Sequence, residues 1–241
     1  MAVFLVPVFN EEGFLESFLA DFRRVLDPAA DRVIFINDGS VDRSREILEN
    51  FCSGSPEGMS LIVNFPHNKG LTAALTEGMR LALSVEEAFF PVVTLDGDGQ
   101  HDPACVRQYL RYFLSKKLDV LIVGRDFSLY PKWKVHGNRF LSWFASCCLG
   151  CRIYDIESGY RIMSRRALDA VVPKLAGIRY SIAGEIVYLA VLSGLIFENK
   201  GRNRIKFYRS RTGFADFFIN LFLGMFHYWR MYPGKFISCK E

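Results

Sequence analysis

The chain has 241 residues, half of them hydrophobic and 23% charged, and carries a net charge of +4 at pH 7. This length suits one α/β domain with a buried core, and this composition excludes an intrinsically disordered chain. Because the net charge is small, its distribution along the chain is more informative than its sum.

Short apolar runs alternate with longer amphipathic segments through the first half of the chain. The apolar runs predict strands at residues 3–8, 32–37, 60–64, 91–95 and 119–123. The amphipathic segments predict helices at residues 12–25, 44–51, 71–83 and 104–114. This alternation favours a doubly wound, mostly parallel sheet, whose ligand crevice lies outside the carboxyl ends of the strands.

A polar or glycine-rich segment follows each of the five predicted strands. These segments are Pro7-Val-Phe-Asn-Glu-Glu12, Asn37-Asp-Gly-Ser-Val-Asp42, His67-Asn-Lys-Gly70, Asp96-Gly-Asp-Gly-Gln-His-Asp102 and Gly124-Arg-Asp126. The carboxyl ends of parallel strands meet at one edge of a sheet, so we expect these segments to form one site there. Polar residues without a shared role would be scattered over both edges.

The pattern changes after residue 126, where helices are predicted at residues 132–149 and 180–192, with a short strand at 158–163 between them. Residues 202–208 alternate basic and apolar side chains, which predicts a strand with one basic face. The basic segment 200–211 contains six Lys and Arg residues and no acidic one. This strip suits binding to nucleic acid, anionic lipid or phosphate, and equally a solvated edge.

The last predicted helix, residues 214–232, is rich in Phe and other aromatic residues. Its longest nearly uncharged run, residues 217–226, is shorter than the roughly 20 residues that a membrane span requires. Two interpretations are left open: a helix lying in the membrane interface, or a helix packed on the sheet.

The six cysteines lack the regular spacing of a secreted disulfide framework. Cys147, Cys148 and Cys151 lie close together, but no second pair of ligands completes a zinc site, and their spacing favours buried thiols on a helix. The chain begins directly with a strand pattern and shows no signal-peptide pattern. Together with the expected reduced thiols, this predicts a cytoplasmic location.

Asp96-Gly-Asp98 places two carboxylates two residues apart, just after a predicted buried strand. Mg²⁺ and Mn²⁺ prefer oxygen ligands and commonly bind one or two carboxylates together with substrate phosphates. Such a metal neutralises a departing diphosphate, and the amide oxygen of Gln100 is a candidate further ligand. Two aspartates in a loop are more often a simple turn, so the argument depends on the four other polar strand ends.

Two further segments have both a functional and a local structural interpretation. Asp38 can accept a hydrogen bond from a nucleobase or a ribose hydroxyl, but Asp-Gly-Ser is also a favourable turn. Asn10, Glu11 and Glu12 begin the first predicted helix, where acidic residues also interact favourably with the helix dipole.

Taken together, the motifs resemble those of family 2 glycosyltransferases. The resemblance is carried by Val6-Pro-Val-Phe-Asn-Glu-Glu12, Ile36-Asn-Asp-Gly-Ser-Val-Asp42, Asn68-Lys-Gly70 and Asp96-Gly-Asp-Gly-Gln-His101. Within this family, the chain further resembles the branch that contains dolichyl-phosphate mannose synthase and bacterial polyprenyl-phosphate hexose transferases. This second resemblance is carried by Gly124-Arg125, Asn138-Arg139 and Asp155-Ile-Glu-Ser-Gly-Tyr-Arg161. The resemblance implies a GT-A-type α/β domain at residues 1–213 and a membrane-interface or packing helix at residues 214–241.

The resemblance also implies roles for individual residues. The donor-binding residues would be Pro7, Asn10, Glu11, Asp38, Lys69, Asp96, Arg209 and Arg211. Asp96, Asp98 and Gln100 would hold Mg²⁺ or Mn²⁺, while Arg125 and Arg139 would bind the acceptor phosphate with assistance from Arg161. The chain departs from the family pattern at Asn37, where an aspartate is more usual, and at Gly213-Phe-Ala215, which lacks the serine and lysine of the closing loop.

The implied reaction is the inverting transfer of a hexose from a GDP- or UDP-linked sugar to a polyprenyl phosphate at the cytoplasmic membrane face. A phosphate acceptor is already nucleophilic, so arginines need only position it. A saccharide hydroxyl acceptor, the first alternative, needs a general base, for which Asp102 and Glu157 are candidates. The second alternative is a non-catalytic nucleotide-sugar-binding scaffold.

The expected partners follow from the same reasoning. They are the nucleotide-sugar donor, the polyprenyl phosphate and the surface of the membrane, and a partner subunit is left open. Nucleic-acid binding is not expected, because it explains the basic strip but none of the acidic motifs.

Overall fold

The structure is a computed structural model that describes residues 1–84, 91–176, 180–203 and 213–231. The strands are β1 (Val3–Val8), β2 (Arg32–Asn37), β3 (Ser60–Asn64), β4 (Val92–Thr94), β5 (Val120–Arg125), β6 (Arg161–Met163) and β7 (Phe197–Asn203). The α-helices are α1 (Glu12–Val25), α2 (Ser44–Ser53), α3 (Leu71–Ser84), α4 (Val106–Ser115), α5 (Lys132–Leu149), α6 (Arg165–Val171), α7 (Ile182–Leu192) and α8 (Phe214–Met231). Short 3₁₀ helices cover Pro103–Cys105, Phe127–Leu129 and Val172–Lys174.

The strands form one sheet in the order β3-β2-β1-β4-β6-β5-β7. All neighbouring strands are parallel except β6, which is antiparallel to both β4 and β5. The predicted mostly parallel α/β sheet is therefore confirmed. Its parallel strands bring their carboxyl ends, and the polar segments that follow them, to one edge.

Apolar side chains cover both faces of the sheet, which explains why the sequences of the central strands are continuous hydrophobic runs. Successive residues of β1 point to opposite faces: Phe4 belongs to the hydrophobic cluster under α1, α2 and α4, whereas Leu5 belongs to the cluster under α3, α6 and α7. The ring of Phe4 packs edge-on against Phe22 of α1, with the centroids 5.2 Å apart. The sheet is thus the middle of three layers.

Two local predictions need correction. The strand near the basic segment begins at Phe197, earlier than the predicted start at residue 202, and the remainder of the predicted strand lies in residues 204–212, outside the described residues. Helix α6 was not predicted, because it has only seven residues and offers little periodicity. It begins after Ser164, whose hydroxyl accepts a hydrogen bond from the backbone N–H of Ala167 at 3.1 Å.

Helix α8 packs on the domain with one of its two faces. It lies against α7 and α5, and its buried side chains include Asn220, Leu223 and His227. The other face leaves four large aromatic residues exposed, namely Phe218, Phe222, Phe226 and Trp229. Among the helices that the structure describes, none combines the length and the apolar character that crossing a bilayer requires.

The cysteines of α5 agree only in part with the expectation. Cys148 is a buried free thiol, and burial raises its pKa to about 11, whereas Cys147 is disulfide-bonded. The expectation of a reduced thiol is therefore wrong for Cys147.

Candidate active site

A cavity of about 210 Å³ lies at the carboxyl edge of the sheet. It receives residues from all five polar strand ends. They include Pro7 near the end of β1 and Glu11 after it, Asp38 after β2, Asn68 and Gly70 after β3, Asp96, Asp98, Gln100 and His101 after β4, and Arg125 at the end of β5. The polar segments that were predicted to meet therefore line one cavity.

Asp96 and Asp98 form the acidic part of the cavity wall. The Asp98 carboxylate is partly buried and accepts hydrogen bonds from the backbone N–H of Gln100 at 3.0 Å and from its amide nitrogen at 2.6 Å. Burial and the negative charge of Asp96 raise the pKa of Asp98, and His101 opposes this effect. Two neighbouring carboxylates in a partly desolvated site repel each other, which favours a bound cation.

The donor atoms of this pair suit a hard divalent cation. The part of the chain that the structure describes has no cluster of three or more His, Cys, Asp or Glu residues for a metal. Two carboxylates are still sufficient where substrate phosphates complete the coordination, as is common for Mg²⁺. Gln100 positions Asp98 through its amide nitrogen, an interaction that the sequence did not predict, and its role as a metal ligand stays a prediction.

Asp38 organises the loop that follows β3. Its carboxylate accepts hydrogen bonds from the backbone N–H groups of Lys69 and Gly70, at 2.7 and 2.9 Å, and from the amide of Asn68 at 3.1 Å. Burial raises the pKa of Asp38, although these two backbone hydrogen bonds act in the opposite direction. The side chain therefore shapes the cavity in addition to lining it.

Gly39 allows the loops after β2 and β3 to touch. Its φ is +69°, and a Cβ at this position would lie 2.6 Å from the backbone nitrogen of Asn68. A side chain would be strained by the backbone conformation and would also clash with the neighbouring loop. The Asp-Gly-Ser turn is thus both a structural turn and part of the site.

Asn10 and Asn37 stabilise the loops that carry Glu11 and Asp38. Asn10 accepts a hydrogen bond from the backbone N–H of Val41 at 2.9 Å and does not line the cavity. Asn37 donates its amide to Asn64 Oδ1 at 2.8 Å and accepts from the backbone N–H of Ser40 at 3.1 Å. An ionised aspartate at position 37 could not donate the first of these bonds.

Lys69 lies on the outside of the same loop. Its side chain is exposed, and its ammonium nitrogen lies 4.5 Å from the centroid of the Phe65 ring. Its backbone N–H donates to Asp38, and its positive charge also favours the ionised form of Asp38, which lowers the pKa of that carboxyl against the larger effect of burial. The predicted donor contacts of Arg209 and Arg211 lie outside the described residues.

Arg125 lines the cavity but already has a partner for its charge. It binds Asp155 with two hydrogen bonds, from Nε at 2.8 Å and from Nη2 at 2.7 Å. Its guanidinium also lies over the rings of Phe127 and Tyr130, at 5.3 and 5.4 Å from their centroids. Burial disfavours the charge of Arg125, but Asp155 outweighs this and raises its pKa. The ion pair holds the guanidinium rigidly at the cavity wall.

Arg161 lines the same cavity from β6, and Arg139 does not line it. Arg161 is buried, whereas Arg139 is exposed on α5. The preceding residue, Asn138, does line the cavity and donates its amide to Asp155 Oδ1 at 2.9 Å. Successive helical residues point in directions about 100° apart, so Asn138 and Arg139 face different surroundings.

Several cavity residues were not predicted as donor, metal or acceptor ligands. Lys134 of α5 and Asn220 of α8 line the cavity, and burial lowers the pKa of Lys134. Glu157, considered only as a base for a saccharide acceptor, accepts from Asn138 at 3.3 Å and from Asn220 at 3.5 Å. The position of Asn220 in the cavity could not be predicted from the sequence, because the residues around it indicate only an aromatic-rich helix.

The two candidate bases of the saccharide alternative have different positions. Glu157 lies in the cavity wall, 3.8 Å from the guanidinium of Arg125. Asp102 does not line the cavity, and its carboxylate accepts a hydrogen bond from the backbone N–H of Ala104 at the start of a 3₁₀ helix.

Comparison with known proteins places the chain among similar sequences and folds. Residues 3–180 match the family described as Glycosyl transferase family 2. An uncharacterized protein of Methanocaldococcus jannaschii is 28% identical over 196 residues, which cover 79% of this chain and 76% of that protein. The UDP-N-acetylglucosamine–dolichyl-phosphate N-acetylglucosaminyltransferase of Methanococcus voltae is 23% identical, over 77% of this chain and 78% of that enzyme.

A solved structure shows the same architecture. Glucosyl-3-phosphoglycerate synthase from Mycobacterium tuberculosis, crystallised with Mn²⁺, UDP and glucosyl-3-phosphoglycerate, matches with a TM-score of 0.67 and 15% identity. The match covers 96% of this chain and 79% of that one. This likeness concerns the fold alone, and it confirms the predicted GT-A-type fold.

Proposed function

Because the chain belongs to glycosyl transferase family 2 and is therefore a glycosyltransferase, we propose that it transfers a hexose from a GDP- or UDP-linked sugar to a polyprenyl phosphate. The observation that carries this proposal is the cavity itself, which places the Asp96 and Asp98 carboxylates in one wall with Arg125 and Arg161. Paired carboxylates suit a cation bound to a diphosphate, and guanidinium groups suit a second phosphate.

The donor is proposed to occupy the part of the cavity formed by the first four strand ends. Pro7, Glu11 and Asp38 line this part, and Asp38 fixes the loop at Gly70 by hydrogen bonds. Asp96 and Asp98 are proposed to hold Mg²⁺ or Mn²⁺. When bound, this cation would neutralise the charge on the departing nucleoside diphosphate.

The acceptor is proposed to be a phosphate because the two carboxylates beside Arg125 already have partners. Glu157 accepts hydrogen bonds from Asn138 and Asn220, and Asp155 is paired with Arg125. A phosphate acceptor needs no base to remove a proton, and direct displacement then inverts the anomeric carbon. Arg139 is exposed and does not line the cavity, so it stays a proposed acceptor contact on the family resemblance alone.

The name of the Methanococcus voltae relative includes a dolichyl-phosphate acceptor, which agrees with this proposal. A second acceptor class, a saccharide hydroxyl, is favoured by one observation, namely that Glu157 lies in the cavity wall near Arg125. The two acceptors differ in the residue on which they should depend. Arg139→Ala should abolish transfer to a lipid phosphate, and Glu157→Gln should abolish transfer to a hydroxyl.

The enzyme is further proposed to lie on the cytoplasmic face of the membrane, bound through an aromatic face shared by α5 and α8. This aromatic face consists of Trp133, Phe140, Trp143, Phe218, Phe222, Phe226 and Trp229, all exposed. Helices α5 and α8 contain one acidic residue, Asp216, and it is buried. Their basic residues Lys132, Arg139 and Arg230 are exposed. Exposed aromatic and basic side chains without carboxylates suit the interface of an anionic bilayer.

The same two helices connect the aromatic face with the cavity. Asn138 and Lys134 of α5 and Asn220 of α8 line the cavity, while the aromatic side chains point outward. A lipid-linked phosphate would therefore approach from the side of the molecule that binds the bilayer. Four described cysteines, Cys52, Cys105, Cys148 and Cys151, are free thiols, whereas Cys147 is disulfide-bonded, so the proposed cytoplasmic side rests on the aromatic face and the acceptor and not on the cysteines.

The proposal is tested with a panel of nucleotide sugars, a short-chain polyprenyl phosphate and a saccharide acceptor, each with and without a chelator. We expect transfer to the polyprenyl phosphate only, loss of transfer with the chelator, and an inverted anomer by NMR. Asp98→Asn should remove turnover, whereas Asp126→Asn, which alters an aspartate outside the cavity that caps a 3₁₀ helix, should not. Full turnover of an Asp96→Asn/Asp98→Asn variant, or an anomer with retained configuration, would contradict the proposal.

A further inference from the structure

Asn220 of α8 lines the cavity with an amide group that is only half satisfied. The residue is 8% exposed, and its Nδ2 donates a long hydrogen bond of 3.5 Å to Oε1 of Glu157. Its Oδ1 has no hydrogen-bond partner in the described part of the chain. Buried polar atoms in native proteins nearly always have a partner, so this carbonyl oxygen requires an explanation.

The contact with Glu157 determines which end of the amide is left over. An ionised carboxylate only accepts hydrogen bonds, so the amide nitrogen of Asn220 faces it and the oxygen faces away. The oxygen lies near Gly184 of α7, where a Cβ would be 3.8 Å from it. Gly184 has no side chain that could donate a hydrogen bond. The amide oxygen is therefore an acceptor that a ligand in the cavity can use.

The surroundings of Asn220 select the chemistry of that ligand. A fully ionised phosphate has no proton to donate, so it cannot satisfy the amide oxygen. A cation is disfavoured, because Arg125 already lies 3.8 Å from Glu157. Lys134 is also near: burial lowers its pKa, and the charge of Glu157 opposes this effect. A neutral hydroxyl group donates a hydrogen bond without adding charge, which is the chemistry of a sugar.

The position of Glu157 in the cavity indicates which sugar this would be. Glu157 precedes Gly159 by two residues, and the carboxylate of Asp96 lies against Gly159. Asn220 and Glu157 are thus close to the candidate cation site, where the donor diphosphate is proposed to bind. In a nucleotide sugar the hexose is attached directly to that diphosphate, so its hydroxyl groups would reach this part of the cavity.

We propose that Asn220 and Glu157 form a hydroxyl-binding subsite for the hexose of the donor, in which Oδ1 of Asn220 accepts a hydrogen bond from one sugar hydroxyl. Asn220 thereby determines specificity, since a hexose without that hydroxyl leaves the buried oxygen unpaired. The contact comes from a helix outside residues 3–180, the segment that matches the family. The identity of the ligand rests on the proposed function, but its binding does not require glycosyl transfer.

The test compares Asn220→Leu with the wild-type enzyme in calorimetric titrations with Mg²⁺. The probes are UDP-glucose, UDP-N-acetylglucosamine and GDP-mannose, together with UDP and GDP. Leucine has nearly the shape of asparagine but cannot accept a hydrogen bond. Loss of one hydrogen bond should weaken binding of the preferred nucleotide sugar about threefold to tenfold and leave the affinity for its nucleoside diphosphate unchanged.

Deoxy analogues of the preferred nucleotide sugar then identify the hydroxyl. In the wild type, removal of the contacted hydroxyl should also weaken binding about threefold to tenfold. In Asn220→Leu, the same removal should cause no further loss, because the partner of that hydroxyl is already gone. A purely structural role of Asn220 would instead lower the affinity for every analogue by the same factor and would contradict the proposal.

Asn50→Leu is the matched control. Asn50 is an exposed asparagine of α2 and does not line the cavity. The control should bind all probes like the wild type. If Asn220→Leu does not fold, Asn220→Ala provides the measurement, because its smaller side chain cannot clash, and the same decrease in affinity is expected.

The possible results separate the subsite from the proposed reaction. Unchanged affinity of Asn220→Leu for the nucleotide sugar, or an equal decrease for the nucleoside diphosphate, would overturn the proposal. An effect confined to the KM of a saccharide acceptor would also overturn it, because the hydroxyl would then belong to the acceptor. Asn220-dependent binding of a nucleotide sugar in a protein without transferase activity would support the subsite and contradict only the proposed function.

Discussion

The carboxylate of Asp96 lies directly against Gly159, at a position where the fold leaves no space for a side chain. A Cβ on Gly159 would lie 2.9 Å from Cγ of Asp96, closer than real Cβ atoms approach other atoms. The hydroxyl of Thr94 donates to the carbonyl of Gly159 at 2.6 Å, which holds the two segments together. The backbone at Gly159, just before β6, therefore determines where the carboxylate of Asp96 can lie.

We accordingly predict that Gly159→Ala impairs activity by displacing Asp96. An added methyl in this packed region should cost about 1–3 kcal/mol of unfolding free energy. A displacement of the carboxylate by about 1 Å should reduce kcat/KM by roughly two orders of magnitude. Gly13→Ala is the control, because a Cβ at Gly13 meets no atom within 4 Å. Wild-type kcat/KM in a folded Gly159→Ala enzyme would contradict the prediction.

The ion pair between Arg125 and Asp155 should contribute strongly to stability. Asp155 is buried and binds both the side chain and the backbone N–H of Arg125. Burial favours protonation of Asp155, but the charge and hydrogen bonds of Arg125, together with the hydrogen bond from Asn138, outweigh this effect and lower the pKa of Asp155. Asp155→Ala leaves the guanidinium uncompensated and should cost about 3–5 kcal/mol of unfolding free energy, as measured by urea denaturation.

An exposed ion pair serves as the control for this measurement. Asp169 lies 3.7 Å from Arg165 on the surface of α6, and Asp169→Ala should cost less than about 1 kcal/mol. Equal losses in the two variants would show that the buried pair contributes little.

The contact between α7 and α8 should depend on pH. Glu185 of α7 is 2% exposed, and its carboxylate lies 3.2 Å from Nε2 of His227 on α8. Burial favours protonation of Glu185, but hydrogen bonds from His227, Ala176 and Ser181 outweigh it and lower the pKa. The stabilisation is therefore present above the pKa of the unfolded state and is lost as the pH falls through the lower folded-state pKa.

We predict that Glu185→Gln lowers the melting temperature near neutral pH, with a loss of about 1–3 kcal/mol, and removes part of the acid sensitivity. Melting curves of both proteins between about pH 3 and pH 7 provide the measurement. Glu57→Gln, at an exposed position, should leave the pH profile unchanged. A Glu185→Gln profile parallel to that of the wild type would refute the role of this pair.

The aromatic face of α5 and α8 should bind phospholipid vesicles. Phe222 and Trp229 are 68% and 61% exposed, and the bilayer interface would cover them. Phe222→Ser/Trp229→Ser should reduce binding to anionic vesicles about tenfold or more in co-sedimentation. Leu114→Ser, at an exposed apolar residue of α4 that belongs to a different surface, should bind like the wild type. Equal binding of all three proteins would exclude this face as the membrane contact.

Much of the fold and part of the site follow from local sequence patterns. The predicted bounds of β1, β2, β3, α1 and α5 agree with the structure. The meeting of Asp38, Asp96 and Arg125 in one cavity was also predicted, because parallel strands bring their carboxyl ends to one edge. Hydrophobic periodicity and strand direction therefore sufficed for these features.

The sequence by itself determined the α/β class, the family and the acidic motif at the end of β4. Only the tertiary structure decided which polar side chains find partners: Arg125 pairs with Asp155, 30 residues away, and Glu185 with His227, 42 residues away. It also left Nε and Nη1 of Arg161 buried without a hydrogen-bond partner among the described residues, and it brought Asn220 of α8 into the cavity. The physical reason is that local patterns depend on neighbours in the chain, whereas the charge balance of a buried group depends on residues brought close only by folding.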